Sequence, residues 1–270
     1  MTYRKEEHIA GGSSLPCLFV SHGAPTFALE PGVIGEKLNA LGRQLPPVKA
    51  IVIVSPHWIS EGVIGVTAGS RPETMHDFGG FDPALNELQY PAPGDPVLAE
   101  RILEQLNGAG WTAQAERQRG LDHGAWVPLL HMFPDAAVPV VQVSLPGDLD
   151  GERAWQLGRS LAPLSELGVL VIGSGSLTHN LYEVFRGAED VGYAQEFVEW
   201  IRRVVRSGQL ERLMAGLEEA PHAQRAHPTP EHFWPLVVAA AAAGSGATSV
   251  LEGGMRYRVL PMDAFVFGSL

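Results

Sequence analysis

IVIVSPHW (residues 51–58) decides the architecture. Side chains alternate along a strand, so an unbroken Ile51-Val52-Ile53-Val54 run has no wet face to offer. It fits a strand covered on both sides, the habit of parallel sheets with helices above and below. CLFVSHG (residues 17–23) and GVLVIGSGSLTHN (residues 168–180) read the same way. Each of the three runs out, within a few residues, into a histidine: His57, His22 and His179. A buried strand has no packing use for an imidazole where it stops. Three at equivalent positions point to rings converging on one place, as a metal site, a proton relay or both. In open α/β sheets, ligands bind outside the carboxyl ends of the strands, which is where these three would lie.

Working outward, strands are expected at 17–20, 50–55, 63–67, 138–143 and 169–173, with a C-terminal pair around 256–260 and 264–267. Helical patterns separate them. Asp95-Pro96 offers an N-cap followed by proline at the first helical position. Ala154, Leu157, Leu161 and Leu164 repeat at helical steps, as do Phe197, Ile201, Val204 and Val205. Residues 231–243 read as a helix apolar all round, hence buried. The stretch 70–94, rich in proline and glycine but carrying Phe78, Phe81 and Tyr90, reads as an ordered loop over the site. Linker composition and internal repeats are absent. The expectation is one α/β domain over 16–270, after a polar segment at 1–15: a central, mainly parallel sheet flanked by helices, with a metal site at the carboxyl ends of its strands.

Composition narrows the function. The 270 residues carry a formal charge of −11 and no block of Lys or Arg, so a phosphate backbone is repelled and no nucleic-acid partner is expected. Arg202, Arg203 and Arg206 read as a solvated helix face. Cys17 is the only cysteine, which excludes an intramolecular disulfide and a multi-thiolate zinc site. No stretch approaches the roughly 18 apolar residues of a membrane span, and the N-terminus lacks the apolar core of a secretory signal. A cytoplasmic protein without membrane contact is expected.

Two further histidines belong in the reckoning. His123 follows Asp122 and precedes Gly124 at the start of an expected short helix, where a neighbouring carboxylate favours the imidazolium; site and surface are both open to it. His232 opens the apolar helix, where the helix dipole favours a neutral, metal-binding ring. The adjacent Glu231 competes for the same role. His8, His131 and His222 read as peripheral, and His76 and His227 as loop residues near the site. GxSxG, HExxH, Walker and GxGxxG patterns are absent.

The ordered motifs SHGAP (21–25), SPHW (55–58), HDFGGF (76–81), YPAPGDP (90–96), GLDHGAWVPL (120–129), GSGSLTHNL (173–181) and HPTPEHFWPL (227–236) resemble the class III extradiol ring-cleaving dioxygenases, in their DOPA 4,5-dioxygenase-like branch. The resemblance runs from Pro16 to the C-terminus. It implies a non-haem Fe(II) held by His22, His57 and a third ligand in HPTPEH. Protocatechuate-type members place a carboxylate there; in the DOPA-type branch the matching residue is the histidine, here His232. Three imidazoles also suit zinc, so the resemblance allows zinc in place of iron in the isolated protein.

The same resemblance implies that a catechol, DOPA-like or otherwise, is opened with O2 to a muconic semialdehyde. His179 would take and return the proton with His123 assisting, and Trp58 and His76 would wall the catechol pocket. Two other classes fit the histidines: a zinc-dependent hydrolase, and a non-catalytic metal-binding protein of the same fold. The oligomeric state is not legible.

Overall fold

The computed structural model describes residues 14–187 and 190–270, so His8 and most of the polar N-terminal segment lie outside the described residues. Ten strands are present among them: β1 Cys17–Ser21, β2 Ala50–Ser60, β3 Ile64–Thr67, β4 Ala113–Glu116, β5 Val140–Pro146, β6 Val169–Gly175, β7 Thr248–Leu251, β8 Met255–Arg256, β9 Leu260–Pro261 and β10 Ala264–Phe267. Eight form one sheet in the order β4-β3-β5-β2-β6-β1-β10-β7. Its centre, β5-β2-β6-β1, is parallel throughout. Antiparallel pairs join β3 to β5, β10 to β1 and β7 to β10.

The central strands are buried along their apolar runs, as their composition demands. One face is covered by α9 (Trp234–Ala243), against which α4 (Gly151–Leu161) packs; α2 (Pro96–Gly108) and α6 (Gly192–Ser207) complete that layer. The other is covered by α1 (Gly32–Gln44) and α3 (His123–Met132). The remaining helices, α5 (Leu181–Arg186), α7 (Gly216–Glu219) and α8 (Ala223–Ala226), are short. α9 presses directly on the sheet: a Cβ on Gly173 of β6 would stand 1.9 Å from the Pro235 carbonyl oxygen, so only glycine fits. No described helix is long and apolar enough to cross a membrane.

Several expectations need correction. β2 does not stop at Ser55 but continues to Ser60, through a break in register between Val54 and Ile59. The segment expected as a strand at 256–260 is a hairpin instead, β8 and β9 turning at Tyr257 and Arg258, both at positive φ. The buried helix begins at Trp234 rather than 231. Pro235 lacks an N–H and is tolerated only in the first turn, which fixes the helix start beside it. β4 and β7 went unforeseen because AQAE and TSVL carry no apolar run.

Arg202 is not on a solvated face. Its guanidinium donates to both carboxylate oxygens of the fully buried Asp263, at 2.8 and 3.1 Å, and meets Glu199 at 2.6 Å.

Candidate metal centre and active site

Five imidazoles reach one pocket by five different local devices. His22 is the first residue past β1, its N–H donating to the Gly175 carbonyl at the end of β6. His57 sits in the break of β2, where Ser55, Pro56, His57 and Trp58 of one strand oppose only Ser144 of β5. Such a bulge re-aims side chains next to functional sites. The backbone of His57 itself is satisfied: its N–H donates to Ser55 Oγ at 3.3 Å, and Arg119 donates to its carbonyl at 3.1 Å. His123 opens α3, whose N-cap is the Asp122 carboxylate accepting from Ala125 N–H. His179 lies beyond β6, its N–H donating to the Ala226 carbonyl at 2.7 Å. His232 lies in the turn before α9 and is anchored by Ser176 N–H donating to its carbonyl at 2.9 Å.

Three rings form a near-equilateral triangle. Centroids of His22 and His57 are 5.0 Å apart, His57 and His232 5.1 Å, and His22 and His232 5.4 Å. The Nε2 atoms of His22 and His57 face each other at 3.2 Å, the separation of two nitrogens sharing one ion at bonds of about 2.0–2.1 Å. By proximity of donor atoms alone, His22 and His57 group with His123, while His232 groups with His179 and Glu231, all within 4.8 Å in each set. The hydrogen bonds of these rings differ. His232 Nδ1–H donates to Glu231 at 3.0 Å, and its Nε2 is buried with no partner. Ser174 Oγ–H is spent on the Gly124 carbonyl, so Ser174 Oγ accepts from His22 Nδ1–H at 3.0 Å and leaves His22 Nε2 bare. His123 donates its backbone N–H to Asp77 Oδ1 at 2.9 Å, and its ring Nδ1 lies 3.1 Å from the same oxygen as an ion-pair contact without a hydrogen bond.

All of this favours uncharged rings. Burial holds His22 and His232 well below the usual histidine value, and the neighbouring imidazoles add to it. His57 is lowered to about 3, chiefly by burial and then by His123. His179 is lowered to about 4 by burial, with Glu231 opposing. Neutral imidazole is the metal-binding form. Neutral imidazoles clustered this closely suit a divalent transition ion. Burial, not the dipole of α9, keeps His232 neutral, since that residue precedes the helix.

Comparison with known proteins decides what such a site belongs to. The profile of the family described as "Catalytic LigB subunit of aromatic ring-opening dioxygenase" matches residues 18–268. The chain belongs to the LigB family. It is 39% identical over 238 residues to the 4,5-DOPA dioxygenase extradiol of Beta vulgaris, covering 86% of this chain and 88% of that one. The protein of the same name from Escherichia coli K12 is 37% identical over 241 residues, covering 88% of each. A crystal structure of an uncharacterized Escherichia coli K12 protein superposes with a TM-score of 0.78 at 30% identity, covering 94% of this chain and all of that one. The chain is thus an aromatic ring-opening extradiol dioxygenase, an oxidoreductase acting on a small aromatic molecule and O2.

In this LigB member the five histidines share a cavity of about 200 Å³ with Phe78, Phe81, Leu181, Phe185, Tyr257 and Leu260. His179 lies flat against His232, centroids 3.3 Å apart and planes 11° from parallel. The pocket walls differ from the sequence expectation. Trp58 does not line the cavity: its indole covers Gly65 and lies under the Arg119 guanidinium, 4.7 Å away. His76 is set behind Phe78, its Nε2–H donating to the Leu88 carbonyl at 2.9 Å. His227 is buried against the Leu177 carbonyl, and His131 against that of Phe27.

The partner of His123 is also not its chain neighbour. Asp122 caps α3 and accepts from Gln142, while Asp77, one residue past His76, faces the ring. Burial would raise the Asp77 carboxyl, yet its hydrogen bond and attraction to His123 hold it below the usual range. The one signal for Asp77 in the sequence was its place in HDFGGF. Ser174 carried none beyond its place in a small-residue strand end.

Proposed function

We propose that the enzyme cleaves the ring of a catechol with O2 to a muconic semialdehyde, using Fe(II) held by His22, His57 and His232. The observation that carries this is the 3.2 Å approach of two Nε2 atoms beside a third, buried and partnerless, on His232. Fe(II) in that place would supply the one-electron chemistry that dioxygen needs, which zinc does not.

The chain's own residues supply geometry and protons. His179, neutral because it is buried, is the base that takes a catechol hydroxyl proton and later returns it. Its stacking on His232 holds it within reach of a diol seated on the three-histidine face. Asp77 holds the start of α3 through the His123 N–H and faces the ring, and His123 takes the second hydroxyl proton of the catechol and hands it to the opening ring. Phe78 and Phe81 exclude water from one side. Both atoms of O2 enter the product as the carbon–carbon bond beside a hydroxyl-bearing carbon breaks.

Anaerobic loading with Fe(II), followed by exposure to air with a catechol, tests this. Stoichiometric oxygen uptake and a yellow product are expected, with a zinc-loaded sample inert. Ester or amide turnover by the zinc form, without oxygen uptake by either form, would establish the hydrolase reading instead.

A further inference from the structure

The cavity that seats the ring is apolar everywhere except at its imidazoles. Among its lining residues are no Lys, Arg, Asp, Glu, Asn, Gln, Ser or Thr. The one other polar side chain, Tyr257, has its hydroxyl engaged 2.9 Å from Thr26 Oγ1. Arg119, Arg225 and Arg256 are committed elsewhere, and Arg186 of α5 lies over the Tyr182 ring at 4.8 Å. Arg119 bonds the His57 carbonyl and Asp122, Arg256 pairs with Glu30 at 2.7 Å, and Arg225 pairs with Glu183 at 2.8 Å and Asp190 at 3.1 Å. The nearest carboxylates, Asp77 and Glu231, face histidine rings. A charged substituent on the substrate would find no counter-ion among the lining residues of this cavity, and an unpaired charge in an apolar site is costly.

The rim continues the same chemistry outward. Leu181 and Phe185 of α5, and Tyr257 at the hairpin turn, line the cavity and are 44%, 70% and 42% exposed. No residue of α5 is buried. Large apolar side chains held in water at a pocket mouth mark a surface that a ligand covers.

We infer that the site selects catechols bearing an uncharged alkyl or aryl substituent at position 4, seated on Leu181, Phe185 and Tyr257, over those bearing a carboxylate or an amino-acid side chain. The inference rests on the catechol-cleavage reading and specifies its substrate class. The diol ring occupies the histidine end of the cavity and the substituent follows the apolar wall to the rim.

The test compares the Fe(II)-loaded full chain on catechol, 4-methylcatechol, 4-propylcatechol, 3,4-dihydroxyphenylacetate and L-DOPA. kcat/KM is expected to rise about fourfold per methylene, with 4-propylcatechol at least tenfold above L-DOPA. Anaerobic calorimetry should give Kd values in the same order. L-DOPA or the phenylacetate equalling 4-propylcatechol would overturn the inference while leaving ring cleavage intact. Failure to open any catechol in the loaded enzyme would overturn the underlying reading. Phe185→Ser, at an exposed position, should lower the ratio of 4-propylcatechol to catechol severalfold; an unchanged ratio counts against the rim as the substituent's seat. Arg258→Ala should leave the ratio of L-DOPA to 4-propylcatechol as it was, and a selective loss of L-DOPA would identify a carboxylate partner and overturn the preference.

Discussion

Glu231 Oε1 lies 3.0 Å from His232 Nδ1, so the two residues that compete for one role in the sequence cooperate in the structure. The carboxylate fixes the tautomer and orientation of the ring, and the ring presents its other nitrogen to the centre. His232→Ala should therefore abolish stoichiometric metal binding, whereas Glu231→Gln should weaken it by about 10- to 100-fold. Competition with a chelator, read by elemental analysis, checks both. Equal loss in the two variants would make the carboxylate a direct ligand.

His179 shares a face with His232 but not its hydrogen bonds. His179→Ala should keep metal content near wild type and reduce kcat by about 10²- to 10⁴-fold, the span of general acid–base catalysis. Metal analysis and oxygen uptake on the same preparation separate the outcomes. Metal loss matching that of His22→Ala would place His179 among the ligands.

Much of this centre was legible in the sequence because its histidines stand where apolar runs end, and a run of Val and Ile declares its own burial. His22, His57 and His179 follow from that alone, and the sheet with them. Contacts between residues distant in the chain were not legible. Asp77 reaches His123 across the 70–94 loop, and Ser174 reaches His22 across adjacent strands. Adjacency misled where it was the only guide, as with Asp122 for His123 and with Arg202 among its basic neighbours. Trp58 misled for another reason: the bulge turns His57 inward and carries its neighbour out over Gly65.

Gly124 is the point where α3 meets that bulge. A Cβ there would stand 2.3 Å from Ser55 Oγ and 2.9 Å from His57 Cδ2, both held by the surrounding core. Gly124→Ala should cost about 1–3 kcal/mol of stability by overpacking and displace His57. Thermal unfolding and metal titration on one sample test this; a variant with wild-type metal affinity would show that the bulge yields freely.

Far from the pocket, Asp263 is fully buried, accepts two bonds from Arg202 and also one from Gly253 N–H at 3.0 Å. Asp263→Ala takes the buried partner from Arg202 and leaves it only Glu199 and Glu252, and should cost about 1.5–3 kcal/mol. Arg206→Ala, which removes a half-exposed pair with Glu252, should cost under about 1 kcal/mol. Urea unfolding of the two variants gives the contrast directly.

The slack in β2 separates heredity of shape from heredity of chemistry. Ser55 to Trp58 pair with nothing across the sheet, so a deletion among them would spare the ladder on either side while turning His57 toward the opposite layer. A descendant altered in this way would keep its shape while losing a ligand. Shortening that excursion is therefore expected to show in the metal content of a variant before it shows in its unfolding temperature.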